Sequence, residues 1–273
     1  MSARAAVIVL SALALLLPTI VSAAAPDAAA LLDGMLKASG GLQAFRELGM
    51  IEIALSEEET TANGTQHKKQ STAYVDAATL NSMRLELSGE IVVATNRGIG
   101  WATRAGVPDD RPQGSRMAVG TLNQRLFPLL LPFAATMDGV RLGTVTETSF
   151  EGEPAWRVAV SFDEDFFVAP SMATTWYLHI RKDDGSLLAA EFFPPPGVRA
   201  VRSEGIRYRV LKQAPIGSGV MLPVQVLLDG IDLNGSPTGH VRVTKMQVSV
   251  RGPYDPKLFL HPLEVQAMGD RKD

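Results

Sequence analysis

The sequence predicts a mainly β (α+β) fold, in which a strongly curved antiparallel sheet or incomplete barrel of about 10–12 strands accompanies two helical segments. Most of the chain consists of short segments that alternate apolar and polar residues, with polar turns between them. Helical spacing of apolar residues occurs only near the N-terminus and in the middle of the chain. No low-complexity linker or fixed-period repeat interrupts the sequence, which favours a single domain over residues 24–273.

The first 23 residues have the form of a secretory signal peptide. Arg4 supplies a positive charge, residues 5–20 are uncharged and apolar, and Val21-Ser22-Ala23 places small residues at a cleavage site. The alternative is an uncleaved membrane anchor, but the apolar stretch contains Pro18 and is shorter than the roughly 20 residues that a spanning helix needs. We therefore expect a periplasmic protein that begins near Ala24 and is not anchored by a lipid.

The composition excludes several classes of function. The chain has no cysteine, which rules out disulfides, a lipid on an N-terminal cysteine, and thiolate metal or redox sites. The formal net charge is −3 and becomes more negative when Arg4 leaves, which argues against a nucleic-acid partner. Hydrophobic residues make up 46% of the chain. A mature chain of about 250 residues with this composition can bury a substantial core.

The N-terminal helix is predicted from its cap and its apolar spacing. Asp27 is the expected N-cap, because its carboxylate can accept hydrogen bonds from the first turn. Residues 39–41, Ser-Gly-Gly, end the helix, and residues 42–46 read as one further turn. The apolar face of the helix consists of Leu31, Leu32, Met35 and Leu36.

From Met50 onwards, a period of two predicts strands. Asn63-Gly64 and Asp184-Gly185 predict tight hairpin turns, since these dipeptides adopt positive φ readily. A loop at residues 108–114, rich in proline and aspartate, interrupts the strands. In the last strand the apolar residues change phase, which predicts a β-bulge near Lys245.

The stretch TLNQRLFPLLLPFAATM, residues 121–137, differs from its surroundings because it is almost continuously apolar. Thr121 is the expected cap of a helix there. Pro128 and Pro132 are expected to kink or split this helix, since each lacks an N–H and clashes with the preceding turn. The segment is either a buried core helix or a movable lid, and both interpretations stay open. Its apolar face recurs at Leu122, Leu126, Leu130 and Phe133.

The sequence contains no recognisable catalytic or metal-binding constellation. It has no G-x-S-x-G elbow and no pair of histidines at metal-ligand spacing. Asp163, Glu164 and Asp165 offer carboxylates to a hard cation, but we interpret them as a solvated turn. Residues 232–239, DLNGSPTG, are likewise predicted to form a turn and not a metal-binding loop. Each of the four histidines is interpreted as a solvated surface residue: His67, His179, His240 and His261.

Several motifs in order along residues 28–262 carry a family resemblance. These are KASGGLQAFREL after the first helix, FEGEPAWRVAVSF, WYLHIRKDDGSLLAAEFF, YRVLKQ followed by GVMLPVQVLL, and YDPKLFLHP. Together they resemble the LolA/LolB-like superfamily, in particular exported proteins related to outer-membrane lipoprotein-sorting proteins. The resemblance implies a half-open antiparallel barrel around a helix, closed by helical lid segments. Members of that superfamily hold acyl chains in an apolar cavity without catalysis.

By this resemblance we expect a monomeric, non-enzymatic carrier or binder of a lipophilic ligand, either lipoprotein acyl chains or a lipid, with no cofactor and no metal. The alternatives are an envelope sensor whose lipid-binding barrel regulates a protein partner and, less favoured, an unrecognised exported hydrolase. Peripheral contact with a membrane is compatible with either binding role. The apolar cavity and its lid are expected to be lined by Leu122, Leu126, Phe127, Leu130, Leu131, Phe133, Trp101, Trp156 and Trp176.

Overall fold

The structure, a computed structural model, describes residues 26–163, 175–193 and 205–269. The expected signal peptide therefore lies outside the described residues. The helices are α1 (Ala28–Ala38), α2 (Leu42–Glu47), α3 (Pro112–Arg125), α4 (Phe127–Ala134) and α5 (Pro262–Gly269), with a 3₁₀ turn at Pro256–Leu258. The strands are β1 (Met50–Thr60), β2 (Gln66–Asp76), β3 (Ser82–Leu87), β4 (Ile91–Asn96), β5 (Ile99–Arg104), β6 (Val107–Pro108), β7 (Val140–Phe150), β8 (Glu153–Phe162), β9 (Trp176–Arg181), β10 (Leu187–Phe192), β11 (Gly205–Gly217), β12 (Val220–Ile231) and β13 (Pro237–Gly252).

The thirteen described strands form one antiparallel sheet in the order β6-β5-β4-β3-β2-β1-β13-β12-β11-β10-β9-β8-β7. Strand β1 pairs with β13, so the first and last thirds of the chain meet in the middle of the sheet. The sheet is curved and does not close, which leaves β6 at one edge and β7 at the other. This confirms the predicted fold class, with a strand number slightly above the expected range.

The N-terminal helices follow the sequence-based expectation. The Asp27 side chain accepts a hydrogen bond from the N–H of Ala29 at 3.4 Å, and α1 ends at Ala38, directly before the Ser-Gly-Gly stretch. Leu32 and Met35 are buried in the main core. The extra turn is α2, whose Phe45 is fully buried. The two helices therefore contribute one apolar face each to the same core.

The predicted turns are confirmed, and the predicted bulge is wrong. Gly64 and Gly185 both have positive φ, as the tight turns at their positions require. Around Lys245, by contrast, the pairing of β13 with β1 is unbroken from Val250 to Val241. The apolar residues of β13 change phase because this strand is partly covered on both faces of the sheet. The alternation of apolar and polar residues therefore does not show how β13 pairs with its neighbours.

The middle of the chain contains more helix than expected. The predicted loop at 108–114 is already helical from Pro112, which starts α3 without needing its missing N–H. Thr121 accordingly lies inside α3 and is not a cap. Helices α3 and α4 both pack on one face of the sheet, which we call the inner face. Within the described ranges, no helix is both long enough and apolar enough to span a membrane.

Candidate functional site

Helix α4 occupies the inside of the half-open sheet. All eight of its residues, FPLLLPFA, are apolar and buried. They belong to the same core as inward-facing residues of strands from both halves of the sheet, such as Leu85 of β3 and Leu178 of β9. A helix that is apolar all around requires burial on every side. Helix α4 thus fills the space around which the sheet curves.

Pro128 determines where α3 ends. A continuous α-helix would need the N–H of residue 128 to donate to the carbonyl of Gln124, and proline has no N–H. Helix α3 therefore ends at Arg125, and α4 starts a new helix with Pro128 in its first turn. This confirms that Pro128 splits the segment, whereas Pro132 lies inside α4 and does not divide it. As a consequence, the Gln124 carbonyl needs a hydrogen-bond donor from outside the helix.

Polar side chains from the sheet hold the end of α3. The Tyr208 hydroxyl donates to the Gln124 carbonyl, and Arg242 Nη2 donates to the same oxygen at 3.5 Å. Arg125 Nη1 donates to Glu57 Oε2 at 2.6 Å, and Glu57 is only 2% exposed. We call Glu57, Arg125, Tyr208 and Arg242 the α3 anchor. It ties the C-terminal end of α3 to β1, β11 and β13.

Burial shifts the pKa values within the α3 anchor. Burial lowers the pKa of Arg125, and the Glu57 carboxylate partly offsets this effect. Burial raises the pKa of Tyr208 to about 12, so its hydroxyl keeps the proton that it donates to Gln124. A buried ion pair depends on both partners, because removing one leaves an uncompensated charge in a poorly solvated place. The anchor is therefore a cooperative set of contacts.

The structure brings most of the predicted site residues together. Phe133 stacks on Phe45 with 3.9 Å between ring centroids, and Phe127 meets Phe162 and Trp176 edge-on at 5.2 and 5.4 Å. Edge-on and stacked aromatic pairs are favourable packing geometries. The residues of the middle segment that were expected at the cavity are all at most 1% exposed: Leu122, Leu126, Phe127, Leu130, Leu131 and Phe133.

The three tryptophans occupy different environments. Trp176 is 1% exposed on the inner face. Trp156 lies on the inner phase of β8 but is half-buried near the β7 edge, with Lys182 Nζ 4.2 Å from its ring centroid. Trp101 differs from the expectation, because it lies on the outer face, where its indole N–H donates to the carbonyl of Phe259 at 2.9 Å. We therefore leave Trp101 out of the candidate site.

Two buried polar groups near the junction of α3 and α4 lack hydrogen-bond partners. Asn123 is 2% exposed, and neither its Nδ2 nor its Oδ1 has a partner. The indole N–H of Trp176 is also without one, and the Trp176 ring lies next to both Phe127 and Tyr208. Buried polar groups in native proteins are normally paired, so such groups call for an explanation.

Sequence reasoning missed the α3 anchor, although one signal was present. Glu57 continues the apolar phase of β1, after Ile53 and Leu55. A carboxylate at a core-facing position of a strand needs a buried partner. The identity of that partner, Arg125, was not predictable because it lies 68 residues further along the chain.

The interpretation of His179 as a solvated surface residue is wrong. His179 is buried on the outer face, with its Nε2 3.4 Å from Glu191 Oε2 and its ring 4.7 Å from that of Phe150. Arg207 donates to Glu191 at 2.8 Å. Burial raises the pKa of Glu191, but His179 and Arg207 outweigh burial and hold the pKa at about 2. The outer face is thus partly covered as well.

The other polar candidates do not form a reactive site. His67 is exposed, while His240 and His261 are partly exposed beside acidic residues. Asp163 pairs with Arg141 at 2.7 Å, and Glu164 and Asp165 lie outside the described residues. Residues 232–236 form the expected turn, and residues 237–239 already belong to β13. In the part of the chain that the structure describes, no group of three acidic, histidine or cysteine side chains is placed to hold a metal ion.

Solved structures of several bacterial proteins resemble this one. A LolA superfamily protein from Nitrosomonas europaea aligns with a TM-score of 0.57 at 11% identity, over 85% of this chain and 98% of its own. A DUF1329 family protein from Desulfovibrio piger gives 0.54 at 11% identity, over 86% and 97%. A domain from Vibrio parahaemolyticus, named as an outer membrane lipoprotein-sorting protein, gives 0.52 at 8% identity, over 86% and 98%.

The likeness shows that this chain has a LolA-like fold. Compared by sequence alone, the chain matches no family model and no curated protein. The identities are so low that the structural comparison speaks for the fold and leaves the function to be argued from the residues of the site.

Proposed function

We propose that this protein is a periplasmic, non-enzymatic carrier or binder of a lipophilic ligand, which it holds between the inner face of the sheet and the α3–α4 segment. The observation that carries the proposal is α4 itself. It is a short helix, apolar on all sides, that fills the interior and is separated from α3 by a proline-induced break. Lipoprotein acyl chains and free lipids are the two ligand classes that fit such an interior.

The energetics favour exchange between α4 and a ligand of comparable apolar area. Burying a leucine or phenylalanine side chain stabilises by about 1.5–3 kcal/mol, so the five such residues of α4 together contribute roughly 7–15 kcal/mol. Moving α4 into water without replacement would cost most of that sum. An acyl chain can take over these contacts because apolar contacts are not directional. The hydrogen bonds of the α3 anchor are directional, and they set the closed position.

The unpaired polar groups further support a ligand with a polar part. Asn123 and the indole N–H of Trp176 are costly in an apolar core unless another molecule binds them in the loaded state. A carboxyl or ester group attached to a hydrocarbon chain supplies the matching acceptor. This combination describes a fatty acid or an acylated molecule rather than a pure hydrocarbon. A protein partner and the absence of catalysis stay predictions.

Native mass spectrometry tests the proposal. Delipidated protein is incubated with oleic acid below its micelle concentration, and with maltose as a polar control of similar mass. We expect a one-to-one adduct with oleic acid and none with maltose. A folded, delipidated protein that binds oleic acid no better than maltose would contradict the proposed function.

A further inference from the structure

A cleft of about 410 Å³ separates α1 from the β7 edge of the sheet. Its volume lies within the range of about 300–1,000 Å³ that is typical of small-ligand sites. The apolar side chains on its walls are Leu32 and Leu36 of α1, Ala135 and Met137 after α4, and Val140 and Leu142 of β7.

The cleft exists because the sheet ends at β7. Val140 and Leu142 pair with Phe162 and Val160 of β8, whose side chains face the inner core. Leu142 is nevertheless 44% exposed, since among the described strands β7 pairs only with β8. An inward-facing leucine that remains half exposed marks apolar surface that the fold itself does not cover.

The floor of the cleft is continuous with the inner core. Leu32 and Ala135 are buried members of that core, and Met137 packs against it from the partly buried side. Ala135 directly follows the last residue of α4. The cleft therefore touches the core at the C-terminal end of α4, whereas the α3 anchor holds the opposite end. A molecule in the cleft therefore touches the core while the anchor is intact, and only its further passage beneath α4 requires the anchor to release.

The polar groups at the rim of the cleft are already satisfied. Asp33 pairs with Lys37 at 2.6 Å on the exposed side of α1. The Thr136 hydroxyl donates to the carbonyl of Phe133 at 2.9 Å. The described rim thus carries one exposed ion pair whose two charges cancel. The cleft therefore has little preference for a positively or a negatively charged head group. The cleft therefore recognises a ligand by its hydrocarbon chain.

We propose that this cleft binds the hydrocarbon chain of a single-chain amphiphile and is the route by which the ligand reaches the inner core. The inference rests on the proposed function, because it names the place and the ligand class of the same activity. In this entry position the head group stays at the rim in water and the chain lies along Leu36, Leu142 and Met137. The polar group reaches Asn123 only after the ligand has moved from the cleft into the core.

Single-cysteine labelling tests this inference, since the natural chain has no cysteine. Leu142→Cys reports on the cleft. Leu211→Cys is the matched control, because Leu211 is also a strand leucine, is 47% exposed and lies outside the cleft. Each variant is labelled with a small maleimide with and without laurate below its micelle concentration. At nine-tenths occupancy, labelling of residue 142 should slow about tenfold, while labelling of residue 211 should not change.

The outcomes separate the inference from the proposed function. If laurate forms an adduct in native mass spectra but leaves the labelling of residue 142 unchanged, the chain lies elsewhere and the inference is wrong. If laurate and oleic acid both fail to bind, the proposed function and the inference fall together. Dodecyltrimethylammonium should protect residue 142 within about threefold of laurate, because the rim has no net charge. Protection by only one of the two would contradict recognition through the chain.

Discussion

Replacing Asn123 with leucine is expected to stabilise the ligand-free protein and to weaken its binding of fatty acids. Asn123 is buried in α3, and neither polar atom of its side chain has a hydrogen-bond partner. Leucine has a similar size and no polar group to bury. A residue with only a structural role would not change stability and binding in opposite directions.

The size of both effects follows from the cost of an unmade hydrogen bond. A buried unsatisfied polar group costs about 1–3 kcal/mol. Asn123→Leu should therefore raise the free energy of unfolding by about 1–3 kcal/mol, with a few tenths more from helix propensity. Loss of one hydrogen bond to the ligand, about 1.4 kcal/mol, corresponds to roughly tenfold weaker binding.

Urea unfolding followed by tryptophan fluorescence measures the stability, and competition with a fluorescent fatty acid measures the affinity. Thr95→Val is the matched control, since the buried Thr95 hydroxyl on β4 also lacks a partner. Thr95 lies opposite Gly100, which contacts Ser115 in the first half of α3, and β4 is far from β9 and Trp176 in the sheet. We expect this control to leave the affinity unchanged. If Asn123→Leu lowers the stability, or raises it without weakening binding, Asn123 does not contact the ligand and the reasoning from unpaired groups is refuted.

Three further predictions concern the anchor and the outer face. Glu57→Gln should lower the free energy of unfolding by about 3–5 kcal/mol, because it leaves Arg125 buried without a counter-charge. It should also speed fatty-acid uptake in stopped-flow measurements. Unchanged uptake would show that the α3 anchor does not limit the movement of α3 and α4. Tyr208→Phe should cost about 1 kcal/mol and speed uptake more modestly. The Glu191 carboxyl, with a pKa near 2 instead of its ordinary 4.5, stabilises the fold above pH 4.5, and this contribution is lost as the pH falls towards 2. In urea unfolding across this pH range, Glu191→Gln should show a smaller loss of stability than the natural protein; an equal loss would contradict the assignment.

The strands and turns were predictable because they are encoded locally. Alternation in β1 and the glycine-containing turns at residues 64 and 185 depend on a few neighbouring residues. The split of the middle segment followed in the same way from the missing N–H of Pro128. The start of α3 at Pro112 was missed, because PQGSRMAVG has little apolar periodicity and is held by packing on β4 and β5.

The contacts that position the site were not predictable, because they join distant parts of the chain. The pairing of Glu57 with Arg125 depends on how α3 crosses the sheet. The burial of His179 depends on Phe150 and on strands that bring Glu191 and Arg207 beside it. Alternation places a residue on one face or the other, but it does not tell whether a second layer covers the outer face. Trp101 was misplaced for the same reason, since the C-terminal segment covers it.

Photo-crosslinking of a bound fatty acid tests the central claim most directly. A palmitic acid analogue with a diazirine near its chain end is bound to the delipidated protein and activated, and the labelled peptides are mapped by mass spectrometry. We predict labels on residues 122–133 and on inner-face residues around Trp176, with excess unlabelled palmitic acid suppressing them. Labels confined to outer-face residues such as Trp101 or Tyr177, or labels that excess palmitic acid does not suppress, would contradict a ligand site beneath α3 and α4.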